Sequence, residues 1–486
     1  MFEWRRVVVV AAQNISWLWN DTASIQKAVR AWETGVVELT DELKKERNLT
    51  MNDYGTNVIA PIKWDLVEII AEDAWLDMVK DKKIITKLTR GMWRSQRMLD
   101  IVWERAIKEA WEIDHILAEN EWQKVWASVW TCLWWYDEIE AAIYDWRNLN
   151  RIQKNVIDGK EFEDLSQEEK DKVVKKIFYI QKNVHPFTSL TKSLPSTQMY
   201  HLLAKYGMTW WSRASGEACA AWPHAVANWY DQITMWRRKL MMVGWVESSI
   251  SNSGLGKFWK MWALSKAINI SDKDNKVQID DVMKASRPFQ QWRDGFVMWE
   301  GANMIVLEDM ESAIERSATI LCEVLWYWTS SDPSHVTAPN KDGKYAAMAI
   351  DEALVTSGIT PDQVDAIIMH GTSTPKWDLA ETNAVKRVFW TTIPKLISAK
   401  WGTGHLLWAS WTDAIVQAVH MMLGQYVPPT ANLERLDNDI SDVMWEDSKQ
   451  FVMWETLYDM KVEYVIVNSF WFWWTNISVL LKRWVA

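Results

Sequence analysis

Short apolar runs recur along this chain and decide what it can fold into. Val7–Ala12, Leu240–Val246, Met304–Glu308, Ala366–Met369 and Tyr464–Asn468 have strand length and little polar alternation. A strand without alternation is buried on both faces. Between these runs lie stretches with apolar residues at helical spacing, among them Arg97–Ala110, Ala380–Phe389 and Asp413–Leu423. The alternation predicts an α/β fold in which a parallel or mixed sheet is covered by helices on both faces. A chain of 486 residues can bury a large core and is long enough for two or three units.

Charge and cysteine usage remove several function classes. The net charge is −10 and no basic stripe interrupts it, so nucleic acid is not an expected partner. The longest apolar run near the N-terminus, Val7–Ala12, is too short to span a bilayer, and Met1–Arg6 is not followed by the core of a secretion signal. The expected setting is cytoplasmic, with no membrane partner. Cys132, Cys219 and Cys322 have neither disulfide-framework nor zinc-site spacing, and no metal is expected.

Three segments carry residues suited to acyl chemistry: EACAAWPHAV at Glu217–Val226, MHGTSTP at Met369–Pro375 and KWGTGH at Lys400–His405. Moving an acyl group between thioesters needs a nucleophile that is itself a good thiol leaving group, and cysteine meets that need. Ala220–Ile233 reads as a helix starting directly after Cys219, which would put the thiol at the positive helix end and lower its pKa. A cysteine without such a setting is a small core hydrophobe, the reading that Cys132 and Cys322 keep. Neutral imidazoles can donate to a developing oxyanion and move protons, and His370 and His405 sit in the two other segments.

Together these segments resemble the active site of the condensing enzymes, most closely the β-ketoacyl-acyl-carrier-protein synthases of type I/II, in which Cys, His, Lys and His follow in this order. The resemblance runs from about Val7 to Lys482. It implies a thiolase-like fold of two pseudo-repeated α/β halves stacked in five layers, αβαβα. Residues 1–315 would form the half with the nucleophilic cysteine, and residues 316–486 the half with His, Lys, His and a gating loop. Residues 137–182 exceed the family's length and form an insertion, in which Ser166-Gln-Glu-Glu169 reads as a capping box.

The resemblance assigns catalysis to Cys219, His370, His405 and Lys400, with Glu381 as the acidic partner of a buried Lys400. Thr372 and Thr374 match the hydroxyls that bind the phosphopantetheine arm, and Leu133 matches the acyl-pocket lining. Phe470 and Phe472 match a glycine-rich loop in which the N–H groups of Phe472 and Cys219 form an oxyanion hole and the Phe472 ring gates acyl entry. The implied reaction is decarboxylative Claisen condensation of an acyl group held on Cys219 with malonyl-acyl-carrier protein, lengthening a fatty acyl chain by two carbons. Acyl carrier protein and a second copy of the chain are the implied partners. No cofactor is implied, because the carrier brings the pantetheine. A polyketide ketosynthase and a non-catalytic relative are the alternatives.

Composition departs from the family in one respect. The chain has 38 tryptophans and only 17 glycines, whereas glycine makes up about 7% of soluble proteins. VGWVESSI, FVMWEGA, VLWYWTSSD, STPKWD, HLLWASW and NSFWFWWTN match the family once Trp is read as Gly. Glycine serves where φ is positive or backbones approach closely, and an indole there must find room in a core packed at about 0.75 density. The pattern predicts UGA codons that the source cell reads as glycine. Trp4, Trp64 and Trp122 fall where the family is less patterned. Gly254-Leu-Gly-Lys-Phe-Trp259 imitates a dinucleotide fingerprint only if Trp259 is glycine. It follows a turn rather than a strand, so nicotinamide binding is not expected.

Overall fold

The computed structural model describes residues 5–15, 36–46, 58–60, 94–110, 126–131, 166–172, 212–215, 229–235, 237–250, 252–270, 276–335, 338–470 and 475–485. The main sheet is built from β1 (Val7–Ile15), β2 (Trp126–Thr131), β3 (Ser212–Ser215), β4 (Leu240–Ser248), β5 (Met298–Asp309), β6 (Cys322–Ser331), β7 (Ala366–Ile368), β8 (Lys395–Ile397), β9 (Tyr464–Phe470) and β10 (Thr475–Arg483). Their order is β8-β7-β9-β10-β6-β1-β5-β4-β2-β3. Read outwards from the β1–β6 junction, both sides give the same succession: first, fifth, fourth, second and third strand of a half.

The pairing directions repeat as well. β2 lies parallel to β3 and β4, while β5 runs antiparallel to β4 and β1. Likewise β7 lies parallel to β8 and β9, while β10 runs antiparallel to β9 and β6. The two halves meet where Val7–Val9 pair antiparallel with Cys322–Val324. Two short strands, Val37–Glu38 and Val58–Ala60, extend the sheet at Met298 and Trp299 of β5.

Side-chain alternation turns this sheet into layers. Val7 and Val9 of β1 face one apolar cluster, whereas Val8 and Val10 face another, as the period of two requires. The second cluster is closed by α1 (Arg94–Ala110), whose Met98, Val102 and Ala106 recur every four residues against Met242, Met304 and Val306. The first cluster continues into α5 (Ser410–Gly424) and from there to Val465, Val467, Val479 and Leu481 of the other half. Thirteen of the 15 residues of α5 are buried, so this helix is a layer between the two halves of the sheet rather than a cover. The outer face of the second half, with Ile367, Ile466 and Leu480, packs under α3 (Lys344–Ser357) and α4 (Pro375–Val388). The succession α1, first half of the sheet, α5, second half of the sheet, α3 with α4 is the expected αβαβα arrangement.

All five apolar runs become strands. β6 was not among them because only Cys322, Glu323 and Val324 are buried and the rest of the strand is partly exposed. Gly254 and Trp259 lie inside α2 (Asn252–Lys260), so no glycine-rich phosphate turn exists there. Within the expected insertion, the capping box forms: Ser166 N donates to Glu169 Oε2 at 2.8 Å and Glu169 N to Ser166 Oγ at 3.3 Å. The insertion's residues other than 166–172 lie outside the described residues.

Candidate active site

The loop between β7 and α4 carries His370, Thr372 and Thr374, and its shape is dictated by α4. Pro375 opens the helix at the position where a missing N–H costs nothing. Asp378 and Glu381, three residues apart, therefore project from one helical face. Both are buried and both point back at the loop. Glu381 accepts the N–H of His370 at 2.7 Å and of Gly371 at 2.8 Å, and also the Asn468 amide at 3.2 Å. Asp378 accepts the N–H of Thr372 and of Phe289, each at 2.9 Å. Arg293 in turn neutralises Asp378, its Nε lying 2.7 Å from Oδ2. Held this way, the loop tolerates positive φ at Gly371 (32°) and at Ser373 (68°). A Cβ at Gly371 would come within 2.6 Å of the Ser398 side chain, which fixes glycine at that position.

The second segment follows β8. Lys400–Thr403 makes one helical turn, and Gly404 (φ 85°) then lets the chain pass against Val297, where a Cβ would stand 2.7 Å from the carbonyl oxygen. His405 N donates to Val297 O at 2.7 Å, and Trp299 N to His405 O at 3.1 Å. These bonds tie His405 to β5 of the first half. The rings of His370 and His405 consequently meet edge to face, their centroids 5.5 Å apart. Phe296 lies 5.1 Å from the His405 ring and Phe470 lies 6.3 Å from the His370 ring. His370, Thr372, Thr374, His405, Phe296, Phe470 and Trp377 line one cleft. Thr374 and Trp377 also border a second cleft of about 470 Å³ that reaches Asp294, His335 and Trp262.

Electrostatics hold the imidazoles neutral. Burial is the main cause of the lowered pKa of both His370 and His405, and the charge of Lys400 is the next. Ser410 Oγ lies 2.8 Å from His405 Nδ1. Lys400 Nζ donates to the carbonyl of His370 at 2.6 Å. The expected direct pairing of Lys400 with Glu381 takes another form: the carboxylate is spent on backbone N–H groups, and the two charges interact without contact. Burial pushes Glu381 up and Lys400 down, and each one's charge opposes the other's shift. Thr372 and Thr374 share a hydrogen bond at 2.8 Å.

Cys219, Leu133 and Phe472 lie outside the described residues. Topology nevertheless relates Cys219 to the second half: it follows β3 in the chain as Lys400 and His405 follow β8, and β3 and β8 are the third strands of their halves. Cys322 is fully buried in β6 and its thiol is pushed up by burial, as a core hydrophobe's would be. Asp378, Arg293, Ser410 and Asn468 were not singled out by sequence reasoning. Asp378 stands within the STPKWD segment and so carried a signal, whereas Arg293 and Asn468 are distant in sequence and become neighbours only in the fold. Among the described residues no group of His, Cys, Asp and Glu is placed to hold a metal ion, and no helix is long and apolar enough to cross a membrane.

Two repeated α/β halves around a buried helix, with paired histidines held against the first half, form the arrangement that the resemblance to the condensing enzymes implies. The family models agree. The β-ketoacyl synthase N-terminal domain matches residues 156–313 and the C-terminal domain residues 321–434. A 3-oxoacyl-[acyl-carrier-protein] synthase 1 of Buchnera aphidicola is 31% identical over 309 residues, 63% of this chain and 69% of that protein. The chain belongs to the β-ketoacyl synthase family. The mitochondrial 3-oxoacyl-[acyl-carrier-protein] synthase of Arabidopsis thaliana is 36% identical over 295 residues, 60% of each protein. The chain spans about 60% of the length of the first curated relatives it matches. A solved β-ketoacyl synthase from Burkholderia phymatum superposes with a TM-score of 0.72 at 21% identity, over 99% of this chain and 100% of that one. A type II polyketide ketosynthase in complex with its acyl-carrier protein does so with the same score, identity and coverage. At such identity the likeness carries the fold alone, which is thiolase-like.

Proposed function

We propose that this chain is a β-ketoacyl-acyl-carrier-protein synthase that elongates fatty acyl chains. The observation that carries the reading is the pair of buried, neutral imidazoles facing each other across one cleft. In the first half-reaction the Cys219 thiolate attacks an acyl thioester on acyl carrier protein, and the carrier's pantetheine thiol leaves with the proton. A malonyl thioester then enters the same cleft and loses CO₂. The electrons of the broken bond pass to an enolate whose oxygen accepts N–H donation from His370 and His405. The enolate carbon attacks the acyl-cysteine carbonyl, and collapse of the tetrahedral adduct frees the Cys219 sulfur and the β-ketoacyl product.

Lys400 keeps both imidazoles neutral and fixes the His370 backbone. Thr374, which borders both clefts, and Thr372, which lines the cleft of the histidines, bind the pantetheine arm. Phe470 walls the cleft beside His370, Leu133 lines the acyl pocket, and Phe472 gates it. The reading further assigns residues 1–315 and 316–486 as its two halves, a homodimer as its assembly, the cytoplasm as its setting and no metal or organic cofactor. Curated relatives that share 31–36% identity and are named 3-oxoacyl-acyl-carrier-protein synthases favour fatty-acid over polyketide elongation.

The test is the Cys219→Ala variant. Incubated with acyl-acyl-carrier protein, the native chain should gain the mass of one acyl group and the variant none. Condensation that survives in the variant would overturn the mechanism.

A further inference from the structure

We propose that the protein made in its own cells carries glycine at positions 262, 292, 377 and 445, because UGA codons there are read as glycine. At positions 262, 292 and 445, backbone geometry supports this without reference to any relative. Trp262, Trp292 and Trp445 have φ values of 55°, 63° and 51°, a region that L side chains enter at a cost and glycine enters freely.

Trp262 ends α2 in the hydrogen-bond pattern of a Schellman motif. Ala263 N donates to Phe258 O at 3.3 Å and Trp262 N to Trp259 O at 2.9 Å, which puts residue 262 at the left-handed position that glycine usually fills. The residue is 77% exposed, so little packing offsets the strain. Trp445 is likewise 77% exposed and combines φ 51° with ψ −124°, far from any basin of an L residue. Trp292 occupies the third place of a turn in which Arg293 N reaches back to Gln290 O at 3.4 Å, where positive φ calls for glycine.

Buried positions point the same way. Trp229 and Trp299 are each 1% exposed, and neither indole N–H has an acceptor among the described residues, although buried indoles ordinarily find one. Position 377 links the inference to the site. The Trp377 ring stands 6.4 Å from that of His370 and lines both clefts. Glycine there would join the 470 Å³ cleft to the histidines as a single approach.

The experiment is mass spectrometry of tryptic peptides from the protein purified from its source cells. Met261–Lys266, Ala285–Arg293, Trp377–Lys386 and Leu436–Lys449 each contain one of the four positions. Glycine masses in all four establish the inference, and a tryptophan mass in any one overturns it. These masses are independent of activity, so their outcome does not depend on the proposed reaction. A second measurement compares the recombinant chain as written with its Trp262→Gly, Trp445→Gly variant. The variant should unfold at a higher temperature, or fold where the other does not; equal midpoints would count against the inference.

Discussion

Glu381→Gln perturbs the wiring of the site while sparing every group that would touch substrate. The carboxylate holds the N–H groups of His370 and Gly371 at 2.7 and 2.8 Å. Glutamine keeps only one oxygen, so one of these donors would face an NH₂ group. A buried N–H stranded in this way costs about 1–3 kcal/mol. The surviving bond loses its charge, which lowers its net worth by about 1 kcal/mol. Lys400 also loses the anion that favours its charged form. The sum is a loss of about 2–4 kcal/mol, less than the about 5–15 kcal/mol that a folded domain commands. The variant should therefore fold.

Urea unfolding reads that loss directly, and two half-reactions read its consequence. His370 hangs from Glu381 by its backbone, so decarboxylation of malonyl-acyl-carrier protein should fall about 10–100-fold, the range produced by a sub-ångström to ångström misplacement. Acyl transfer to Cys219 should fall much less. An unchanged urea midpoint, or equal losses in the two half-reactions, would refute the claim that Glu381 acts by positioning the His370 loop.

Three further perturbations follow from the same geometry. Arg293 is 2% exposed and bridges Asp378 at 2.7 Å and Asp437 at 3.0 Å. Arg293→Met strands a buried carboxylate and should cost about 3–5 kcal/mol in a denaturant titration, of which Asp378→Asn in the same chain should restore part. Ser410→Ala removes the hydroxyl 2.8 Å from His405 Nδ1. The loss of about 1 kcal/mol should slow decarboxylation about fivefold, with Ser410→Thr recovering the rate. His420, in the middle of α5, has no hydrogen-bond partner on either ring nitrogen among the described residues, and burial lowers its pKa to about 4. Between that value and about 6.5 the unfolded chain binds a proton that the folded chain refuses, so stability falls as pH falls. The loss from this group between pH 7 and pH 5 should be about 2 kcal/mol. His420→Leu should flatten the urea midpoint's pH dependence over that span by one proton, and an unchanged slope would show that His420 is not the group responsible.

Legibility in the sequence followed locality. The apolar runs gave the strands because burial on both faces removes polar residues, and Val7–Ala12 of β1 and almost the whole of β4 and β5 are buried. β6 was missed for the converse reason, since its second half is only partly covered. His370, Lys400 and His405 were legible because each sits in a segment whose glycines are forced: Gly371 against Ser398 and Gly404 against Val297. Arg293 was not legible, because its carboxylate partners Asp378 and Asp437 lie 85 and 144 residues away, and only the fold makes one network of them. The Lys400 and Glu381 relation shows the same limit at close range. Sequence could place an acid and a base near one buried spot, yet which atoms they touch depends on where the loop's N–H groups point. Those N–H groups outnumber the acids available: His370, Gly371, Thr372 and Phe289 all need acceptors, and α4 supplies Glu381 and Asp378. The ammonium of Lys400 is thus left to the His370 carbonyl, where its charge can hold the two imidazoles neutral without taking a proton acceptor from the loop.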